Sequence, residues 1–224
     1  MTRRTYSGLF IAEGSSDLPL AGIIESLFFA RGVSVRLSNP DYSLLSTRVR
    51  RDVKSRLTAG LELTGETPNV IVVHRDSDSA DPDERRREIE IGAQAASVTS
   101  EIVPVIPVRM TEAWLLIDER AIRQVAGNPG GHMDLGLPKL HEIERKADPK
   151  KLLGECLIRA ADATGRRRKA LESRFSNHRR QLLQRLDPNG PVTQLTGWQA
   201  LEHDIDAVTR RWLSQQQATT VVPH

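Results

Sequence analysis

The sequence predicts an α/β protein with a mostly parallel sheet of about four strands, helices on both faces, and a basic helical C-terminal appendage. Short apolar runs alternate with segments of helical spacing over residues 7–125, as parallel βαβ units require. One run, residues 70–73, is four consecutive β-branched residues, which is typical of a strand buried on both faces. Beyond residue 130 the chain becomes basic and helical in pattern.

The first half of the chain is predicted to alternate strand and helix four times. The predicted strands are 7–12, 33–37, 70–73 and 102–108, and the predicted helices are 18–30, 44–61, 82–96 and 111–125. Pro104 and Pro107 interrupt the last strand and indicate a place near the sheet edge, because proline cannot donate a ladder hydrogen bond. The crossover connections are expected to be right-handed.

Two regions are predicted, residues 1–130 with the sheet and residues 131–224 as a helical appendage packed on it. From Lys139 to Arg185 there are 14 Lys/Arg against 6 Asp/Glu, a net charge of +8, whereas the rest of the chain carries −5. Such a basic segment suggests a polyanionic partner. A solvated face of surface helices is the alternative explanation.

The densest cationic cluster of this segment is a candidate for binding nucleic acid through its phosphates. It consists of Arg166, Arg167, Arg168 and Lys169. Contacts of this kind would be independent of base sequence and sensitive to salt. Helix solubility, or docking to an acidic protein, is the alternative.

Composition excludes several other classes of protein. The single cysteine, Cys156, cannot form an internal disulfide, and the sequence shows no Cys/His cluster with zinc spacing. No apolar run approaches the roughly 20 residues of a membrane span. Arg3-Arg4 is followed by too short an apolar stretch for an export signal. We therefore expect a cytoplasmic protein without a membrane partner.

Three carboxylates follow predicted strands at the points where those strands end. Glu13 comes directly after the first strand, and Asp76 and Asp78 come just after the third. Ligands of open parallel sheets bind outside the carboxyl ends of the strands. If the two strands are neighbours, the carboxylates meet, and a divalent cation would remove their mutual repulsion. Mg²⁺, or Mn²⁺, suits such oxygen ligands and shares them with phosphate.

Three segments carry a resemblance to a known family. Ile-Ala-Glu-Gly at 11–14 and Val-Val-His-Arg-Asp-Ser-Asp at 72–78 resemble the Toprim domain of topoisomerases, bacterial primases, small ribonucleases and overcoming-lysogenization-defect nucleases. The Glu-Ala-Trp-Leu-Leu-Ile-Asp stretch at 112–118 is similar to one in Toprim-like proteins associated with phage defence. The resemblance covers roughly residues 7–125.

The resemblance implies a Toprim-like, Rossmann-like catalytic domain in residues 1–130. It implies a divalent metal bound by Glu13, Asp76 and Asp78, cleavage or transfer of a nucleic-acid strand, and work beside an ATPase partner. A topoisomerase also needs a nucleophilic tyrosine in a second catalytic domain, and only Tyr6 and Tyr42 are present. A Mg²⁺-dependent nuclease is therefore favoured, for DNA or RNA.

Two alternatives remain open at this point. The chain could be a non-catalytic Toprim-like subunit that binds metal or nucleic acid and regulates a partner. It could also be a phosphohydrolase that acts on a small molecule. The sequence contains no Gly-x-x-x-x-Gly-Lys-Ser/Thr loop, so it does not indicate that this chain is itself a P-loop ATPase.

Three further residues near the predicted strand ends have two interpretations each. Glu112 is a candidate catalytic residue that could reach a second metal or orient the first, or a first-turn acid that complements a helix dipole. Arg109 could contact a phosphate or point to solvent. Asp17 is interpreted first as a helix-start residue and second as support for the metal.

Overall fold

The structure, a computed structural model, describes residues 5–78 and 81–220, with the backbone alone for residues 218–220. It confirms the predicted fold class, because four parallel strands form one sheet with helices on both faces. The strands are β1 (Thr5–Ile11), β2 (Ser34–Ser38), β3 (Val70–His74) and β4 (Glu101–Val105). Their order across the sheet is β2-β1-β3-β4.

Ten α-helices accompany the strands within the described residues. They are α1 (Leu20–Ala30), α2 (Val53–Thr64), α3 (Pro82–Ala95), α4 (Thr111–Leu115), α5 (Glu119–Val125), α6 (Leu140–Ile143), α7 (Pro149–Ala160), α8 (Gly165–Ser173), α9 (Phe175–Leu183) and α10 (Thr196–Thr220). Short 3₁₀ turns lie at Ser15–Asp17, Tyr42–Leu44 and Pro191–Gln194. Within the described part of the chain, no helix is long and apolar enough to cross a membrane.

Two predicted helices differ from the observed ones because aspartates cap the backbone inside them. The helix predicted over 44–61 begins only at Val53, where Asp52 accepts a hydrogen bond from the Ser55 N–H at 2.9 Å. The helix predicted over 111–125 is divided, since Asp118 accepts from the Ala121 N–H at 2.9 Å and starts α5. Such caps satisfy amide groups that a continuous helix would otherwise bond to its own carbonyls.

Each face of the sheet packs on its own set of helices. Leu9 and Ile11 of β1 lie in a core with residues of α2 and α3, whereas Tyr6 and Phe10 face the core that contains α1 and α10. This alternation follows from the two-residue period of a strand. Consecutive β-branched residues in β3 are buried on both faces, as the sequence predicted.

The C-terminal helices share the larger of these two cores. Trp198 of α10 packs edge to face on Trp114 of α4, with ring centroids 5.1 Å apart. Trp212 stacks on Tyr6 of β1 at 4.0 Å. Helix α10 also runs along β4, where Arg211 bonds both oxygens of Glu101 at 2.9 and 2.6 Å. The sheet and the helices after residue 131 therefore bury apolar surface against each other.

Replacing Trp198 by alanine should lower the free energy of unfolding by about 3–5 kcal/mol, the usual cost of deleting a buried indole. Urea denaturation followed by far-UV circular dichroism measures this change. His203→Ala, an exposed position on the same helix, is the matched control and should change stability little. Equal stability of the two variants would show that α10 does not contribute to the core as described.

Candidate functional site

The candidate site lies at the carboxyl edge of the sheet, between β1 and β3. The chain passes from β1 to β2 on one side, and β3 lies on the other side of β1. The loops after β1 and β3 therefore diverge and leave a crevice, the position where ligands bind in open α/β sheets. Glu13 and Asp76 follow these two strands, as the sequence predicted.

The structure brings Glu13 and Asp76 into direct contact. Glu13 Oε2 accepts a hydrogen bond from the backbone N–H of Asp76 at 3.0 Å. Arg56 of α2 holds the turn that carries Glu13 by donating from Nη1 to the carbonyls of Ala12 and of Glu13, the latter at 3.0 Å. The Glu13 side chain is partly exposed, and its other oxygen, Oε1, lies 3.9 Å from Arg75 Nη1.

Thr111 fixes one oxygen of Asp76. The N–H and the hydroxyl of Thr111 both donate to Asp76 Oδ1, at 2.9 and 3.0 Å. The same hydroxyl lies 2.8 Å from His74 Nε2. Because the hydroxyl donates its hydrogen to Asp76, it accepts a hydrogen bond from His74, and Nε2 is assigned the proton. Within the described part of the chain, Asp76 Oδ2 accepts no hydrogen bond. That oxygen is the natural one for a bound cation.

His74 and Asp76 form a coupled pair with opposite pKa shifts. Burial by itself lowers the pKa of His74, but its hydrogen bond to Asp76 and the charges of Asp17, Asp76 and Glu13 raise that pKa overall. Burial by itself raises the pKa of Asp76, but the contact with His74 and the two bonds from Thr111 lower it overall. The pair therefore favours a cationic imidazole beside an ionised carboxylate.

A second, deeper ion cluster joins the appendage to the site. Arg179 of α9 donates from Nη2 to Asp17 Oδ1 at 2.5 Å and from Nε to Glu112 Oε1 at 2.8 Å. All three side chains are almost fully buried. Burial raises the pKa of Glu112, an effect that the Arg179 charge opposes. Within the described residues, Arg179 Nη1 and His74 Nδ1 have no hydrogen-bond partner.

Asp78 is oriented differently from Glu13 and Asp76. Its backbone adopts a left-handed conformation, with φ of 53°, and its N–H donates to the Arg109 carbonyl at 2.7 Å. Its carboxylate is exposed and lies 3.5 Å from Arg85 Nη2. Arg109 donates from its side chain to the Asp78 carbonyl at 3.2 Å. Arg109 therefore lies at the site, whereas the Asp78 carboxylate points to Arg85 of helix α3.

The donor set fits a divalent ion that keeps most of its water. Among residues 5–78 and 81–220, no three Asp, Glu, His or Cys side chains form a ready metal-binding group. Magnesium in phosphoryl-transfer sites is usually held by one or two carboxylates together with water and substrate phosphate. Glu13, whose Oε1 makes only a long contact of 3.9 Å with Arg75, and Asp76 through Oδ2 meet that requirement. Asp78 would have to turn away from Arg85 to contribute.

The predicted cationic cluster is exposed on helix α8. Arg166, Arg167, Arg168 and Lys169 lie on α8, which has no buried residue. Arg168 pairs with Glu172 at 2.9 Å. Helix α8 packs on α7 and α9, and α9 in turn packs on the Ser15–Asp17 turn after Glu13. The cluster is therefore connected to the site through α9.

A cleft opens on the other side of Glu13. Its volume is about 420 Å³, and it lies between the turn after β1 and the loop after β2. Arg56, which orients the Glu13 turn, forms part of its wall. The sequence pattern did not predict this cleft, because loop 39–52 was expected to be partly helical.

Other residues of the site were not identified from the sequence. Arg179 belongs to the basic segment, and Arg180 next to it is exposed, so no local signal marks Arg179 as the buried partner of two acids. Thr111 is the first residue of the helix predicted over 111–125, and no sequence signal shows that its N–H and hydroxyl bond Asp76. Asp17, interpreted first as a helix-start residue and second as support for the metal, pairs with Arg179.

Comparisons with protein-family models, curated proteins and solved structures found no match for this chain. The likeness to Toprim proteins therefore rests on the three sequence segments at 11–14, 72–78 and 112–118. The chemistry that this likeness implies is a proposal.

Replacing Arg179 by methionine should destabilise the protein by about 3–5 kcal/mol, because it leaves Asp17 and Glu112 buried without their counter-charge. Arg180→Met is the matched control, since Arg180 is adjacent and exposed and should change stability by under about 0.5 kcal/mol. Chemical denaturation of both variants at neutral pH measures the difference. If Arg179→Met were as stable as the control, the buried ion cluster would not exist in solution.

Proposed function

We propose that this chain is a Mg²⁺- or Mn²⁺-dependent nuclease of Toprim-like type that cleaves phosphodiester bonds in DNA or RNA. The observation that supports the proposal most is the contact of Glu13 with Asp76 at the switch point of a parallel sheet. Asp76 Oδ2 accepts no hydrogen bond within the described residues, and Glu13 Oε1 makes only a long contact of 3.9 Å with Arg75. The proposal includes a cytoplasmic location and an ATPase partner, as the composition and the resemblance imply.

The side chains of the site have separate tasks in this proposal. Glu13 and Asp76 hold the metal ion, and Asp78 joins them when it leaves Arg85. When bound, the ion supplies charge stabilisation at the phosphoryl oxygens and lowers the pKa of a bound water. Thr111 and His74 keep Asp76 ionised and fixed in orientation. Arg109, beside Asp78, is placed to contact a substrate phosphate.

Glu112 takes a positioning role rather than a direct one. Its carboxylate is bonded to Arg179 at 2.8 Å and is buried. It follows Thr111 directly, so the ion pair fixes the start of α4 and with it the Thr111 groups that bond Asp76. Of the two functional roles expected for Glu112, this assignment takes the one that orients the first metal.

The charge distribution supports nucleic acid as the substrate. A cluster of carboxylates repels a polyanion until metal binds, and nearby cations compensate for that repulsion. The exposed cations of α8 lie on a helix that packs beside α9, which contacts the Ser15–Asp17 turn. We propose that this face guides the phosphate backbone to the acidic site.

A second candidate is a phosphohydrolase that acts on a small phosphorylated molecule. The cleft of about 420 Å³ beside Glu13 favours it, because this volume suits a single small ligand. The two candidates differ in whether polymeric substrate is required. A substrate panel of plasmid DNA, single-stranded DNA, RNA and mononucleotides separates them.

Replacing Asp76 by asparagine, or Glu13 by glutamine, should reduce metal-dependent cleavage by roughly a hundredfold or more, because the variant lacks a metal ligand. Cleavage is measured with Mg²⁺, with Mn²⁺ and with chelator, and with the ATPase partner when one has been identified. Asp83→Asn is the matched control, since Asp83 is an exposed acid in the first turn of α3. Equal cleavage by wild type and the Glu13/Asp76 double variant would refute the proposal.

Changing Arg166, Arg167, Arg168 and Lys169 to glutamine should weaken nucleic-acid binding and flatten its dependence on salt. For every phosphate that the variant no longer neutralises, the slope of log K against log salt should fall by about 0.7–0.9. Binding is measured by fluorescence anisotropy across a salt series. Four scattered exposed arginines changed in the same way provide the control, namely Arg36, Arg87, Arg120 and Arg210. If both quadruple variants shift the slope equally, α8 makes no specific contact with the backbone.

A further inference from the structure

The cleft beside Glu13 is lined by residues of two chemical kinds. The apolar ones include Phe10, Leu18, Pro40 and the ring of Tyr42. The Tyr42 hydroxyl donates to the Arg56 carbonyl at 3.1 Å, which fixes the ring. Burial raises the pKa of Tyr42 to about 12, so the ring stays neutral. An aromatic and apolar wall of this kind suits the flat face of a base.

Polar residues also line the cleft. Asn39, Asp41 and Ser43 lie on the loop after β2. Asp41 Oδ1 accepts from the N–H and hydroxyl of Ser43 at 3.0 and 2.6 Å. Asn39 is exposed and makes no hydrogen bond within the described residues. Its amide, with both donors and an acceptor, is therefore free to read a base edge.

Arg56 places a positive charge in the same cleft. It donates from Nη1 to backbone carbonyls at the Glu13 turn. Within the described residues it forms no ion pair with a carboxylate. A half-buried guanidinium without a counter-charge is suited to a phosphate, which it can bond through two nitrogens. The cleft thus combines a site for a base with a site for a phosphate.

We propose that this cleft binds one unstacked nucleotide of the substrate, with its base against Tyr42 and its phosphate at Arg56. The inference rests on the proposed nuclease function and names the substrate form, an unpaired nucleotide next to the scissile bond. The volume of about 420 Å³ is within the roughly 300–1,000 Å³ of small-molecule sites. A base inside a duplex would first have to be extruded, so single strands and strand ends are favoured.

The direct test is titration of the metal-free protein with 5′-nucleoside monophosphates, in chelator, by NMR or calorimetry. Saturable binding is expected, with shifts at residues 39–43 and 56. Asn39→Trp should abolish binding by filling the cleft. Arg56→Gln should weaken binding about tenfold or more through loss of a charge-assisted hydrogen bond, and Arg56→Lys should retain part of it.

The matched control is Thr67→Trp, which puts the same side chain at an exposed position in another cleft of about 270 Å³. That cleft adjoins the amino ends of β3 and β4. Thr67→Trp should bind nucleotide like wild type. Because Arg56 also holds the Glu13 turn, Asn39→Trp is the decisive variant, and its fold is checked by circular dichroism.

The outcomes separate this inference from the proposed function. In one outcome, wild type cleaves nucleic acid but binds no mononucleotide, and Asn39→Trp cleaves single strands as well as wild type does. This outcome refutes the nucleotide subsite and leaves the nuclease proposal standing. If wild type binds mononucleotides in the cleft but cleaves no polymer, the subsite is supported and the nuclease fails. If Asn39→Trp loses mononucleotide binding and single-strand cleavage while Thr67→Trp retains them, both the nucleotide subsite and the nuclease proposal are supported.

Discussion

Burial of negative charge at one edge of the sheet is the constraint on which the site depends. Asp17 and Glu112 are almost fully buried, and Asp76 is mostly so. Carboxylates in this position are tolerable only when cations or hydrogen-bond donors are buried with them. Arg179 neutralises the deeper pair, and His74 and Thr111 serve Asp76. Each buried acid at this edge therefore has a cation or a hydrogen-bond donor beside it.

The same constraint couples the C-terminal helices to the sheet. Arg179 enters from α9, far along the chain, and contacts residues on the turn after β1 and on α4. Tryptophans of α10 complete the core on that face of the sheet. The helices after residue 131 are therefore part of the support of the site. A cationic surface on α8 is a separate property of the same region.

Two different cationic features surround the acidic edge. The α8 cluster is fully exposed, so its influence on a polyanion acts through long-range attraction and falls with salt. Arg56 is half-buried in a cleft and without a carboxylate partner among the described residues, which suits a defined contact. In the proposed nuclease, the α8 cluster would attract the polyanion and Arg56 would make a defined contact with one of its phosphates.

The sequence by itself determined the alternation of strands and helices, and the positions of Glu13 and Asp76 at strand ends. Strand periodicity and chain polarity are local properties, and parallel strands necessarily present their carboxyl ends at one edge. The caps at Asp52 and Asp118 are also local signals, and they begin helices inside segments whose helical periodicity is continuous. Only the tertiary structure decided that Arg179 is buried, that Thr111 bonds Asp76, and that Asp78 turns to Arg85. These contacts join residues up to 162 positions apart, and the partner of a buried charge depends on packing that no local pattern encodes.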